Sequence, residues 1–333
     1  MKSSKKVCIL GTGNMGTALA VLLAKNGLKV ILHTIEHDVA VQINKNHRNA
    51  KYMPGVRLVK SITATEDYAE AMKGARFVVL AVPSRVIKKV TKEISQFITK
   101  NHILINTAKG LEPDLKLTMT SLIQKNIRTE FRKNVVALSG PSIASEIAQG
   151  KLTAVAIASE NKKILEETRG IFANEHFRVT LTDDMTGIQF GGFIKNTIAI
   201  LGGVCDGLKE GTNFKAALMA LGFYELGRLA KKMGAHHSTL NGIAGLGDLI
   251  DTSFSRDSRN RRLGELLGSG KKLQDALDEI GQVVEGVEST RIAIELGKKY
   301  KINLPITEKI GDILFKKQSP RKALTDLFKY TNF

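Results

Sequence analysis

The sequence predicts an α/β protein, with a doubly wound parallel sheet over residues 1–185 and an all-helical second half over 186–333. Three observations carry this. The chain has 333 residues, more than one hydrophobic core usually serves. Short runs rich in β-branched residues alternate with helical patterns in the first half. Strand signals then stop near residue 184.

The predicted strands are 6–10, 29–32, 77–82, 103–106, 135–138 and 154–158, with a last one at 177–181. Helical patterns at 15–25 and 161–173 fill two of the gaps. Near-continuous apolar strands alternating with helices indicate a parallel sheet covered on both faces. Right-handed crossovers then make a doubly wound domain the default. In the second half, 188–204, 214–233, 273–280 and 287–300 read as helices. Pro305 can start another, because proline is tolerated in a first turn.

Composition narrows the class. The formal charge of +18 admits three readings: nucleic-acid binding, an anionic substrate, or a solvated basic surface. The lysines come in pairs such as Lys88-Lys89 and Lys298-Lys299, never in blocks of five or six. There is no tryptophan, and no basic stripe is interleaved with aromatics that would stack bases. Nucleic acid is therefore not expected as a partner, and solvated surface is the preferred reading of the charge. Cys8 and Cys205 sit in or beside apolar runs, which favours buried free thiols in a reducing compartment over a disulfide. Lys2, Lys5 and Lys6 before an apolar run mimic a secretory signal, but the glycine-rich stretch that follows does not suit one. No run of about 20 apolar residues is evident, so no membrane span is expected and the chain reads as cytoplasmic. No metal is called for.

Gly11-Thr12-Gly13-Asn14-Met15-Gly16 follows the first strand and opens a helix. Glycines there allow a tight turn, close backbone approach to a pyrophosphate, and helix–strand packing. Backbone N–H groups and the positive helix end then hold the anion. The first half therefore reads as a Rossmann-type domain for NAD or NADP, with Asn14 and Met15 at the loop tip touching the cofactor. The end of the second strand decides between the two: an acid suits a ribose 2′-hydroxyl, a base a 2′-phosphate. Glu36 lies slightly late for the first role, and His33 and His37 are poor substitutes for arginine. Both cofactors stay open.

Lys195 is the only charged residue between Asp184 and Asp206. Its neighbours Phe193, Ile194, Ile198, Ile200 and Leu201 predict a buried helix, where a lone ammonium is costly. Burial lowers a lysine pKa and suits it to exchange protons near neutrality. The competing reading is a stem on the core with its head in water. Lys109, in Thr107-Ala108-Lys109-Gly110, and the segment Ser139-Gly140-Pro141-Ser142 both follow strands. Ligands of doubly wound sheets bind beyond those strand ends. Asp257-Ser258-Arg259-Asn260-Arg261-Arg262 suits phosphate recognition by charge-assisted bonds, although a basic helix face is the commoner reading of such a run.

Taken in order, these segments closely resemble the bacterial NAD(P)-dependent glycerol-3-phosphate dehydrogenases. The carrying motifs also include Tyr52-Met53-Pro54-Gly55-Val56, Gly191-Gly192-Phe193-Ile194-Lys195-Asn196, Ala244-Gly245-Leu246-Gly247-Asp248 and Gly281-Gln282-Val283-Val284-Glu285-Gly286. The resemblance implies reversible reduction of dihydroxyacetone phosphate to sn-glycerol 3-phosphate, which supplies phospholipid synthesis. It implies Lys195 as the general acid, and Lys109 in contact with both cofactor and substrate. Gly140, Ser142, Lys195, Asp248, Ser258, Arg259 and Asn260 would line the substrate site. Gly11, Gly13, Asn14, Met15, Gly16, Ala144, Arg259, Val283 and Glu285 would meet the cofactor. Thr34-Ile35-Glu36 departs from the basic residue often found there, and Ser142 replaces a common threonine while keeping the hydroxyl. A homodimer is expected. The alternatives are a β-hydroxyacid or ketopantoate reductase on the same plan, and a basic nucleotide-sensing or nucleic-acid-binding protein without turnover.

Overall fold

The computed structural model describes residues 6–329, so Lys2 and Lys5 lie outside the described residues. The chain divides into two compact units, Met1–Glu112 with Leu117–Met185, and Pro113–Lys116 with Thr186–Phe333.

The first unit is built on β1 (Lys6–Leu10), β2 (Lys29–His33), β3 (Ile62–Thr65), β4 (Ala75–Leu80), β5 (Ile103–Asn106), β6 (Val135–Ser139), β7 (Thr153–Ala158) and β8 (Phe177–Thr182). They form one sheet in the order β3-β2-β1-β4-β5-β6-β7-β8. Successive side chains of a strand point to opposite faces, so β1 serves two cores. Val7 and Ile9 join Leu19, Leu23 and Val30 on one side. Cys8 and Leu10 join Val78, Leu80 and Leu104 on the other. Both faces are covered, as a doubly wound sheet requires.

Two features depart from the expected pattern. β3 has no counterpart among the predicted strands. Its residues Ile62 and Ala64 are buried while Thr63 is exposed, as befits a short strand at the sheet's edge. A four-residue alternation containing two threonines is too weak a signal to stand out. The sheet is also not wholly parallel, because β7 runs antiparallel to β6, pairing Ala137 with Ala158. Between them, helix Ala144–Gln149 has only six residues and ends on Gly150 in the left-handed region (φ 78°). At ~1.5 Å per residue it rises only about 9 Å, too little for a full crossover. β7 and β8 are parallel again, joined through helix Lys162–Phe172.

The second unit is helical and centres on Met185–Gly207. This helix corrects the expectation that no segment is long and apolar enough for a membrane: by length and composition its 23 residues pass that test. Its apolar window is wholly buried within the protein, which explains the composition differently. Ile200, Leu201 and Val204 pack with Leu218, Leu263, Leu266 and Ile310 in the core of this unit. Each such side chain contributes about 1.5–3 kcal/mol on burial. Helix Arg259–Gly268 crosses it closely: a Cβ on Gly264 would fall 1.9 Å from the Ile200 carbonyl oxygen, and one on Gly203 would fall 2.0 Å from that of Arg261. Helix Pro305–Phe315 begins on its proline, and the buried Glu225 carboxylate accepts from the N–H groups of Ile306 (2.8 Å) and Thr307 (2.9 Å). Desolvation pushes the Glu225 pKa up.

Cys8 and Cys205 are free and buried. Burial pushes both thiols up to about 12, so neither is a nucleophile near neutrality.

Candidate active site

In the first unit, the turn after β1 is held from several sides. Gly11 adopts φ 109°, and its N–H donates to the His33 carbonyl at 2.9 Å. Only glycine fits at Gly16, where a Cβ would come within 2.0 Å of the Gly11 carbonyl oxygen. Gly13 differs: nothing lies within 4 Å of the place its Cβ would take. It N-caps helix Asn14–Lys25 without a side-chain cap bond, and the first turn carries no acid. The positive end of a 12-residue helix thus meets an open cradle that a methyl group would fill. This geometry fits a dinucleotide pyrophosphate. Asn14 is exposed at the tip, and Met15 is half-buried against the core.

Residues without an expected role brace this loop. Thr12 Oγ1 donates to Thr34 Oγ1 at 2.9 Å. The buried Asn49 amide donates to the Thr12 carbonyl and to Thr17 Oγ1, both at 2.8 Å. The latch joins positions 37 residues apart, so nothing local in the sequence signals it.

Beyond β5 and β6, three expected residues meet. Lys109 Nζ and Ser142 Oγ both donate to the Gly140 carbonyl, at 3.1 and 2.9 Å. Gly140 adopts φ 140°, a backbone conformation glycine tolerates. Ala144 starts the next helix and is half-buried against the core.

In the second unit, Lys195 is 9% exposed and is not alone. Its Nζ donates to Asp248 Oδ1 at 2.5 Å and to Thr252 Oγ1 at 2.7 Å. Asp248 is fully buried, so two opposite charges share a dry site and each offsets the desolvation cost of the other. The expectation of a lone ammonium in oily surroundings is corrected here. The helix supplies no partner, but Asp248 arrives 53 positions later. Thr252 follows Asp248 by four residues, and the i,i+4 spacing on helix Asp248–Phe254 puts both on one face. That spacing was a usable signal for Thr252.

Burial alone does not single out Lys195. Lys215 is 7% exposed and pairs with Asp206 at 2.8 Å, which also binds Arg261 at 2.8 Å. The residue after Lys195, Asn196, belongs to a separate polar chain. Asn260 Nδ2 donates to Asn196 Oδ1 at 2.9 Å, and Asn196 Nδ2 reaches Glu285 Oε2 at 3.4 Å. Asn260 Oδ1 accepts the Gly286 N–H at 2.9 Å. The structure thus brings Asn260 and Glu285 together through Asn196, and Lys195 with Asp248 apart from them. Ser258 Oγ caps helix Arg259–Gly268 by accepting from the Arg261 N–H at 3.2 Å. Arg259 is exposed and lines a cavity of about 300 Å³ with Arg256, Arg262 and Ser258. Val283 is half-buried just before helix Glu285–Tyr300. Among the described residues, no group of three or more His, Cys, Asp or Glu is placed to hold a metal.

Known proteins match over nearly the whole chain. Residues 6–165 match the NAD-dependent glycerol-3-phosphate dehydrogenase N-terminus and residues 184–325 its C-terminus. A Bacillus velezensis protein named glycerol-3-phosphate dehydrogenase (NAD(P)+) is 44% identical over 97% of this chain and 94% of its own. One of the same name from Carboxydothermus hydrogenoformans is 40% identical over 97% and 96%. The crystal structure of glycerol-3-phosphate dehydrogenase from Coxiella burnetii superposes with a TM-score of 0.92 at 33% identity, covering 98% of this chain and 99% of that one. A ketopantoate reductase from Ralstonia eutropha shares the fold alone, with a TM-score of 0.60 at 17% identity. Both halves carry the family's pattern, and the chain belongs to the NAD-dependent glycerol-3-phosphate dehydrogenase family.

Proposed function

We propose that the chain interconverts dihydroxyacetone phosphate and sn-glycerol 3-phosphate with NAD or NADP, supplying glycerol 3-phosphate for phospholipid synthesis. The carrying observation is the Lys195 ammonium. It has three N–H donors, and among the described residues two are engaged, by Asp248 and Thr252. The third is left for a substrate oxygen.

Gly11, Gly13, Asn14, Met15 and Gly16 hold the dinucleotide, with Lys109, Ala144, Arg259, Val283 and Glu285 as further contacts. When bound, the dinucleotide supplies hydride to the carbonyl carbon, or accepts it from the alcohol. The protein handles the proton. In reduction, Lys195 Nζ gives its free proton to the carbonyl oxygen, and in oxidation it takes the proton back. Asp248 and Thr252 fix the direction of the amine. Positioning of this kind lowers the reorganisation required during reaction. Gly140, Ser142, Asp248, Ser258 and Asn260 line the substrate site with Lys109 and Lys195, and the Arg259 guanidinium suits the substrate's phosphoryl group.

The free buried thiols support a reducing, cytoplasmic setting. The exposed stripe Leu246, Ile250 and Phe254 supports a homodimer contact, which sedimentation would register as twice 36.3 kDa. The activity is tested by mixing purified protein with dihydroxyacetone phosphate and NADH or NADPH. Absorbance at the nicotinamide band falls with at least one of them; no fall with either overturns the assignment.

A further inference from the structure

At the end of β2 a second group of side chains meets outside the glycine loop. Glu36 lies three residues past His33, slightly beyond the strand end where this fold sets either an acid against a ribose 2′-hydroxyl or a base against a 2′-phosphate. Here both charges are present. Lys51 ion-pairs with Glu36 Oε2, and Tyr52 Oη donates to Glu36 Oε1 at 2.5 Å. Lys51 foremost, and then Tyr52, hold the Glu36 carboxyl below its usual range, so it stands as an acceptor anion.

Both partners are anchored to the cofactor loop. The Glu36 N–H donates to Thr34 Oγ1 at 3.1 Å, and Thr34 is bonded to Thr12. The segment carrying Lys51 and Tyr52 is tied to Thr12 and Thr17 through Asn49. The lysine itself is only loosely committed: its side chain is 51% exposed, against 24% for Glu36. Exposed pairs of this kind open at little cost, and an ammonium on a flexible stem can swing. Tyr52 is half-buried and keeps its hold on the carboxylate.

We propose that Glu36 and Lys51 form a two-position selector for the ribose 2′ group, so that one chain takes both NAD and NADP. This rests on the dinucleotide assignment above. With a 2′-hydroxyl the pair stays closed, and a spare lone pair of Glu36 accepts the hydroxyl proton; a carboxylate offers about four such sites. With a 2′-phosphate, Lys51 leaves Glu36 and pairs with the phosphate. The uncovered Glu36 charge then opposes the phosphate, which makes NAD the preferred ligand.

The test is calorimetric binding of NAD+ and NADP+ to the full-length protein without substrate. Lys51→Met is expected to weaken NADP+ about tenfold or more while leaving NAD+ within roughly threefold, since a charge-assisted contact is lost from one ligand only. Glu36→Gln is expected to tighten NADP+ and weaken NAD+, and adding Lys51→Met should cancel that NADP+ gain. Equal weakening of both ligands in Lys51→Met, or an unchanged NADP+ affinity, overturns the selector. Binding of neither dinucleotide by the unaltered protein overturns the cofactor assignment itself.

Discussion

Removing either member of the Lys195–Asp248 pair should destabilise the protein far more than removing both. The side chains are 11% and 0% exposed, and their atoms approach to 2.5 Å. Lys195→Met leaves a fully buried carboxylate without its ammonium, and Asp248→Leu leaves the ammonium with Thr252 alone. Breaking a buried ion pair by removing one member costs about 3–5 kcal/mol, whereas apolar replacement of a whole pair is close to neutral. The double variant should therefore be more stable than either single one, with a coupling energy on the order of 3 kcal/mol or more. Equilibrium urea unfolding of the four proteins, followed by circular dichroism, measures this. If the single costs were each below ~1 kcal/mol and simply added, the pair would be screened by water and the buried-amine reasoning would fail. Kinetics on the same proteins separates chemistry from stability. Lys195→Met should lower kcat by about 10²–10⁴ with dinucleotide binding retained. A change in KM alone would make Lys195 a binding group.

Other perturbations test the neighbouring assignments. Gly13→Ala should leave unfolding within ~0.5 kcal/mol of the parent while dinucleotide affinity drops, because its methyl enters only open space. Gly16→Ala, whose methyl meets the Gly11 carbonyl at 2.0 Å, should lose both; equal effects of the two changes would argue against the cradle. Arg259→Ala should raise KM for dihydroxyacetone phosphate with stability altered by no more than about 0.5 kcal/mol, as its side chain is exposed. Glu225 carries a pKa raised above 4.5, so the folded state holds its proton to higher pH than the unfolded chain. Its contribution is greatest below about 4.5 and declines as pH rises through the folded value. The unfolding free energy of the parent minus that of Glu225→Gln should fall across that window, and a difference that rose with pH would reverse the assignment.

The glycine turn after β1 was legible because much of its physics is local. Gly11, Gly13 and Gly16 stand at fixed spacing between an apolar strand and an apolar helix, and Gly16 packs directly on the Gly11 carbonyl. Strand β1 was legible for a similar reason, since after Lys6 its residues Val7, Cys8, Ile9 and Leu10 alternate between two cores and leave no room for polar side chains. Lys195 was conspicuous as one charge in an apolar helix, yet its setting was misread as solitary. Asp248 was expected near the substrate, but nothing local in the sequence pairs it or Thr252 with Lys195. The reversal at β7 was hidden because a strand's composition does not record its direction; the short helix Ala144–Gln149 does, but only once its length is known.

By itself the sequence determined most of the strands and the longer helices, where a glycine turn must follow the first strand, and which amine stands alone in an apolar helix. These follow from periodicity, glycine spacing and desolvation, all of which act within a few residues. Tertiary structure alone decided that Lys195 meets Asp248 and Thr252, that Asn49 latches the glycine loop, and that Lys51 closes on Glu36. Those pairings join positions 15 to 57 residues apart. Hydrogen bonds and ion pairs act over a few ångströms of space, and distance along the chain does not reveal which groups will share that space.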